Sequence, residues 1–344
     1  MTSRHRTPAV ALLVAGTLAG CSSTGSAPTP HAQHAPATTP AGTPATTGAS
    51  RARSPRRPPT LHVDRLPVRL PEPLAREAVS AGTDPTRVLV AGGLVAGDSS
   101  SSSSYTLDLR SGQVTQRASL ATAVHDTAGA RLGGSRLVIG GGNAAEQSVV
   151  QQRGRTGWHV VGHLPTPRSD LSAVTAGGHV YVLGGYDGRS AALADVLVSR
   201  TGRHWRTVCR LPVPVRYAAT VLARGSVWVL GGERDGAAVD DVQRVDLGTR
   251  RATVVGHLAH PVGHAAAVLL DGRILLVGGR TSGDHVTARM WWYRPGAVRP
   301  RPAGLLPHAL ADTAAVATGR TAYLVGGETP ALTDAVLRLR LRLR

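Results

Sequence analysis

The chain has 344 residues and a formal net charge of +18, because 39 basic residues stand against 21 acidic ones. All the basic residues are Arg, Phe is absent and Cys occurs only twice. No basic helix or RNA-binding aromatic motif accompanies the Arg, so we expect no nucleic-acid partner. The excess charge favours acidic envelope polymers or anionic lipid head groups.

The first twenty residues have the pattern of an export signal. Arg4 and Arg6 precede the apolar stretch Ala9–Leu18, which is too short to span a bilayer as a helix. The following Leu18-Ala19-Gly20-Cys21 resembles the lipobox of bacterial lipoproteins, in which the cysteine is lipidated and becomes the mature N-terminus. We therefore predict a signal peptide over 1–20, lipidation of Cys21 and a location on the extracytoplasmic face of a bacterial membrane. The alternative is an ordinary secretory signal followed by an incidental cysteine.

Residues 21–60 are rich in Thr, Ala, Pro and Ser and contain no acidic residue and no apolar periodicity. Such a segment buries too little surface to offset its ordering entropy, which predicts a disordered tether. With Cys21 assigned to lipid, Cys209 remains alone, so no intramolecular disulfide is expected.

The remaining residues, 61–344, repeat one pattern six times. A β-branched or aliphatic run ends on two glycines, as in "RLVIGGG" (assigned to Gly141-Gly142), "VYVLGG" (Gly184-Gly185), "VWVLGG" (Gly231-Gly232) and "ILLVGG" (Gly278-Gly279). The spacing of about 47 residues is typical of propeller repeats. Each unit has a small-residue strand, the glycine-ended strand and two outer strands, which predicts a four-stranded antiparallel blade. The sequence therefore predicts an all-β fold with six blades.

These units resemble the kelch repeat. The resemblance is carried by the glycine pair, the preceding Tyr or Trp, the Trp158 and Trp205 that open outer strands, and the Leu-Pro that follows them. It implies a six-bladed kelch-type β-propeller over 61–344. The fourth unit departs from it with Arg251 and Ala252 where Trp is expected.

The sixth unit lacks a fourth strand, while the segment from Leu61 aligns with the fourth-strand segment from Trp205. We predict that Leu61–Leu66 pairs with the C-terminal strand and closes the ring, which removes an exposed sheet edge. The alternating Leu and Arg of the C-terminus predict one apolar and one charged face.

A candidate binding face follows from aligning the repeats, because the loops before the first strand and after the glycine pair emerge together. The candidates are Arg76, Glu77, His125, Asp126, Asp170, Arg216, Tyr217, His264 and Asp312. The post-glycine loops add Asn143, Tyr186, Asp187, Glu233, Arg234, Arg280 and Glu328. A ring of acids, His and Arg around a channel fits a pocket. The alternative is that these residues only tie the blades together.

Specific catalytic signals are weak. No histidine pair has metal-ligand spacing, and no phosphate loop or nucleophile elbow is present, so we expect no metal and no cofactor. Kelch propellers include copper radical oxidases with a Cys–Tyr crosslink, but Cys209 falls on an outer strand and does not fit; it is interpreted as a small buried hydrophobe.

Two hypotheses of function remain open. The first is a monomeric, membrane-anchored module that binds an unknown protein or envelope glycan through the candidate face. The second is a sugar epimerase or mutarotase, since periplasmic sialic acid epimerases also resemble six-bladed kelch propellers. In that case a carboxylate or His would move the proton and an Arg would hold the anionic sugar.

Overall fold

The structure is a computed structural model that describes residues 60–189, 191–295 and 300–342. The predicted signal peptide, Cys21 and the tether lie outside the described residues, apart from Thr60. The described residues form one compact unit. Within the described ranges all regular elements are β-strands, and no helix there is long and apolar enough to cross a membrane.

The strands form six four-stranded antiparallel sheets, which are the blades of a β-propeller. Blade 1 consists of β2 (Ala78–Ala81), β3 (Arg87–Ala91), β6 (Ser104–Asp108) and β7 (Val114–Gln116), with the short hairpin of β4 (Leu94–Val95) and β5 (Ser99–Ser100). Blade 2 consists of β8 (Ala128–Leu132), β9 (Ser135–Ile139), β10 (Val149–Arg153) and β11 (Trp158–His163). Blade 3 consists of β12 (Ser172–Ala176), β13 (His179–Leu183), β14 (Asp195–Ser199) and β15 (Arg206–Arg210).

The other three blades repeat this order. Blade 4 consists of β16 (Ala219–Ala223), β17 (Ser226–Leu230), β20 (Asp241–Asp246) and β21 (Arg251–His257), with the hairpin of β18 (Glu233–Arg234) and β19 (Ala237–Ala238). Blade 5 consists of β22 (Ala266–Leu270), β23 (Arg273–Val277), β26 (Arg289–Tyr293) and β27 (Arg301–Leu305), with the hairpin of β24 (Arg280–Thr281) and β25 (His285–Val286). Blade 6 consists of β28 (Ala314–Thr318), β29 (Thr321–Val325), β30 (Ala335–Arg342) and β1 (Thr60–Arg69). The predicted six-bladed all-β architecture is confirmed.

The fourth strand of blade 6 comes from the other end of the chain. β1 pairs antiparallel with β30, in a register that places Leu61 opposite Leu341 and Val63 opposite Leu339. These side chains pack in a cluster shared with blade 5, while Arg338 and Arg340 on the opposite face both donate to Asp64. β1 is therefore longer than the Leu61–Leu66 segment expected from the sequence.

The hydrophobic core lies between adjacent blades. The second strand of each blade is almost continuously buried, as in β23, where Ile274, Leu275, Leu276 and Val277 are buried. First strands crowd the axis and are built from small residues, so their neighbours approach closely. Trp158 is buried and its indole Nε1 donates to Ser104 Oγ of the preceding blade at 3.2 Å.

The glycine pairs hold the blades together at the end of each second strand. Both glycines have positive φ, and the second donates its N–H to a carbonyl of the next blade, as Gly232 does to Val262 at 2.9 Å. Gly327 donates to Leu74 at 2.8 Å and so joins blade 6 to blade 1. A side chain on the first glycine would collide with the same carbonyl, which explains the residue type. In blade 2 the pair is Gly140-Gly141, one residue earlier than the Gly141-Gly142 assigned from the sequence.

The antiparallel order gives the propeller two distinct faces. First strands begin, and second strands end with their glycines, at one end, which we call the polar face. The turns that join first to second and third to fourth strands lie at the other end, which we call the base. β30 runs toward the base and β1 begins there, so the described chain starts at Thr60, opposite Arg342, on the base.

Candidate functional site

In each blade, the residue two positions before the first strand lies at the axis and has its backbone in the left-handed region. These residues form what we call the axial ring: Arg76, Asp126, Asp170, Tyr217, His264 and Asp312. The N–H of each of five members donates to the carbonyl of its counterpart in a neighbouring blade, for example Tyr217 to Asp170 and His264 to Tyr217, both at 3.0 Å. Positive φ is uncommon for residues such as Arg and Tyr. The inter-blade hydrogen bonds stabilise this conformation and fix the six side chains at one end of the channel.

Arg76 is surrounded by carboxylates from other blades. Its guanidinium donates to Glu328 Oε1 at 3.1 Å and to Asp126 Oδ2 at 3.4 Å, and it lies 3.7 Å from Asp312 Oδ1. Burial by itself would lower the pKa of Arg76, but the charges of Asp126 and Asp312 reverse this and raise it. Arg76 is therefore firmly cationic.

His264 lies between two carboxylates. Its Nδ1 is 2.6 Å from Asp312 Oδ1 and its Nε2 is 3.0 Å from Glu233 Oε1, and Tyr217 stacks on the ring with 3.7 Å between centroids. Both nitrogens donate only in the imidazolium form. Burial alone would lower the pKa of His264, but the hydrogen bonds to Asp312 and Glu233 raise it to about 9. His264 is therefore charged at neutral pH.

Two acids of the axial ring have pKa values close to neutral pH. Burial raises the pKa of Asp126 to about 6 against the opposing charge of Arg76. Burial and the charge of Asp126 raise the pKa of Asp170 to about 7. Arg216 reaches this pair from blade 4, 3.5 Å from Asp170 and 3.0 Å from Glu233. A carboxyl group with a pKa near 7 beside fixed cations has the properties of a general acid or base.

Four other predicted residues lie outside the axial ring. Glu77 is buried and both its carboxylate oxygens lack a hydrogen-bond partner among the described residues. Burial raises the pKa of Glu77 well above its usual range, which favours the neutral acid. His125 contacts Ser100 Oγ at 2.8 Å and lies 3.4 Å from Asp126, and burial lowers its pKa. Asn143 and Arg234 are exposed on the rim.

The remaining post-glycine residues extend the network outward. Arg280 donates to Asp312 Oδ2 at 3.2 Å and to Glu328, and the guanidinium of Arg216 lies over the Tyr186 ring at 5.3 Å. A cavity of about 140 Å³ opens at the axial ring. Beside it, a cleft of about 430 Å³ runs between the hairpins of blades 4 and 5 and is lined by Arg216, Glu233, His264 and Arg280 among others.

Other groups lie away from this network. A cavity of about 470 Å³ between blades 4 and 5 is lined by Trp228, Ile274 and Tyr293, and no carboxylate lines it among the described residues. No sequence motif indicates the cluster of Asp240, Asp241 and His257, whose possible ligand atoms lie within 4.8 Å of one another because β20 pairs with β21. Cys209 lies on β15 and is half-buried, so it is less enclosed than expected, and burial raises its pKa.

Comparison with known proteins identifies the repeat. A family model described as the KLHDC2/KLHL20/DRC7 Kelch-repeats domain matches residues 150–327, just over half of the chain. No curated protein matches the sequence. The solved structure of YjhT is similar in fold, with a TM-score of 0.69 and 18% identity over 79% of this chain and 96% of that one. The chain belongs to the kelch-repeat family of β-propellers.

Proposed function

We propose that the protein is a lipid-anchored interaction module on the extracytoplasmic face of a bacterial membrane, and that it binds a protein or envelope-glycan partner through its polar face. Kelch propellers commonly mediate protein interactions, which supports a binding role. The anchor follows from the lipobox-like Leu18-Ala19-Gly20-Cys21, which lies outside the described residues. Exchanging Cys21 for Ser should then release the protein into the soluble fraction.

The proposal rests on one observation: the axial cavity and the neighbouring cleft lie side by side on the polar face and share Tyr217 and His264 in their linings. Together they present cations, acids and an aromatic ring to a single ligand. Because these side chains are already held by one another, they lose little conformational freedom when a partner binds. A preorganised polar face of this kind suits a sugar or a charged peptide segment.

A second function is favoured by a specific feature of the same site. Asp126 and Asp170 have pKa values of about 6 and about 7. A general acid or base is most efficient when its pKa lies near the working pH, here neutral pH. Arg76 and Arg216 lie beside these acids and would hold the carboxylate of an anionic sugar. The alternative function is therefore an epimerase or mutarotase that acts on such a sugar.

One experiment distinguishes the two functions. Residues 61–344 are titrated by calorimetry with envelope glycans and sialic acids, and any ligand is followed by NMR for anomeric or epimeric exchange. Asp170→Asn is the test variant, since Asn tolerates positive φ, and Arg155→Gln on the base is its control. Exchange that disappears only in Asp170→Asn establishes the enzyme. Binding without exchange that is weakened by Arg216→Ala establishes the module. Binding that no polar-face variant weakens refutes both.

A further inference from the structure

We propose that the base of the propeller docks on a membrane surface rich in anionic phospholipid. The base is defined by its turns, and every blade contributes an exposed arginine to them. These are Arg110, Arg155, Arg200, Arg224, Arg294 and Arg320. Their positions follow from the antiparallel blades and not from any local motif, so the sequence alone does not show that they share one face.

Acidic residues are distributed in the opposite way. Among the described residues, only four acids lie in the turns of the base: Asp84, Asp108, Asp246 and Asp271. The acids of the axial ring, the post-glycine loops and the starts of the third strands all lie at the polar face. The base of the propeller is therefore strongly positive and the polar face is rich in acids, although the chain as a whole has a net positive charge.

The four acids of the base are already engaged in local structure. Asp108 Oδ1 accepts hydrogen bonds from the N–H groups of Arg110 and Ser111 at 3.0 and 3.1 Å. Asp246 Oδ1 accepts in the same way from Gly248 and Thr249 at 3.1 and 2.9 Å. These carboxylates shape turns of the kind that Asp commonly stabilises. They keep their negative charges, but the six exposed arginines of the same turns outnumber them.

Most of the basic groups have no such partner. Within the described ranges, Arg155, Arg200 and Arg224 lie in no ion pair, whereas Arg320 lies 3.5 Å from Asp271. Exposed charges at one plane add their attraction to an anionic surface, at about 1 kcal/mol for each Arg. A face with one such residue on every blade has the charge distribution needed for phospholipid phosphates.

The chain ends support a membrane as the occupant. β1 begins and the described part of β30 ends on the base, where Thr60 pairs with Arg342. The segment that leads to Cys21 therefore joins the propeller on its basic side. Docking of the base would turn the axial ring and its cleft away from the membrane, toward solvent. The inference extends the anchoring part of the proposed function, but it does not require that Cys21 is acylated.

The test uses the full chain with Cys21→Ser, so that no acyl chain contributes. Sedimentation is measured with vesicles of phosphatidylcholine alone and with equimolar phosphatidylglycerol and phosphatidylcholine. We expect binding only to the anionic vesicles, and a decrease with added salt because exposed charges are screened. Equal binding to both kinds of vesicle, or none to either, would overturn the proposal.

Two triple variants of equal net charge locate the surface. Replacing Arg155, Arg200 and Arg224 by Gln on the base should weaken binding about a hundredfold, at about 1 kcal/mol for each Arg. Replacing Arg189, Arg234 and Arg289 by Gln, all exposed at the polar end, should change it only slightly. Equal loss in both variants would contradict a docking face, as would a preference for duplex DNA over the anionic vesicles. If a triple variant melts early, its three single substitutions replace it, each with an expected loss of about fivefold.

Discussion

The charge state of His264 predicts how the stability of the propeller depends on pH. The imidazole is held by Asp312 on Nδ1 and by Glu233 on Nε2, and its side chain is only 8% exposed. His264→Asn removes the titrating group and keeps a residue type that tolerates the φ of 55° at this position. The Asn amide remains able to donate one hydrogen bond to Asp312, so the substitution tests the charge more than the packing.

The magnitude follows from the pKa of His264, which is raised from 6.5 to about 9. Each unit of pKa difference between the folded and unfolded states is about 1.4 kcal/mol, so the charged imidazole contributes at most about 3 kcal/mol. Because the folded-state pKa is the higher one, this stabilisation is complete below pH 6.5 and is lost as the pH rises through 9. Asp126 and Asp170, with pKa values of about 6 and about 7, weaken the fold as pH rises toward 7 and are largely ionised above 8.

The assay is urea unfolding of the wild-type protein and His264→Asn between pH 6.5 and 9.5, since urea does not screen charge. We expect the difference in free energy of unfolding to shrink by up to about 3 kcal/mol across this range. His308→Asn, at an exposed position, is the control and should show no such change. A difference that stays constant between pH 6.5 and 9.5 would show that Asp312 and Glu233 do not hold His264 in its charged form.

Two further predictions concern the stability of the propeller. Gly184→Ala should lower the melting temperature far more than Gly225→Ala. Both glycines have positive φ, which costs roughly 1–2 kcal/mol of strain for Ala. Only at Gly184, however, would a Cβ collide with a backbone carbonyl, that of Val215. Similar melting temperatures would show that the pair is kept for φ alone. Deletion of 61–66 should destabilise the whole propeller because it removes most of the strand paired with the outer edge of β30, whose inner edge is paired with β29. Deletion of 30–50 should leave the melting temperature unchanged, and equal effects would refute the assignment of β1 to blade 6.

The architecture is predictable because its signal is local and repeated. A buried second strand must be aliphatic, and its end must be glycine because a carbonyl of the next blade occupies the space of a Cβ. A Cβ on Gly92, for example, would lie 2.6 Å from Val124 O. Six copies of that requirement define six blades. Which two glycines form the pair is less certain from the sequence where three glycines follow one another, as in blade 2. There the backbone places the pair at Gly140-Gly141.

The chemistry of the polar face is not local. Arg76 meets Glu328 across 252 residues of sequence, and His264 meets Asp312 across 48. Alignment of the repeats indicated that these residues share a face, but not which pairs form. Glu77 shows the limit of that reasoning: it follows Arg76 directly, yet it is buried and its carboxylate oxygens have no hydrogen-bond partner among the described residues. The cluster of Asp240, Asp241 and His257 arises only from the pairing of β20 with β21.

The pairing within the axial ring affects where a ligand would bind. Arg76 is already close to three carboxylates, so an anionic ligand at the axis has to compete with Asp126, Asp312 and Glu328 for it. Arg216 is more exposed, at 30%, and lies over the rings of Tyr186 and Tyr217 at the edge of the larger cleft. Arg216 also has two acidic neighbours, Asp170 and Glu233, but a guanidinium that is partly solvated and backed by aromatic rings accepts a new partner at lower cost than one enclosed by three acids. If the face binds an anionic ligand, we therefore expect its charged part in the cleft beside Arg216 and its neutral part over Tyr217 toward the axis.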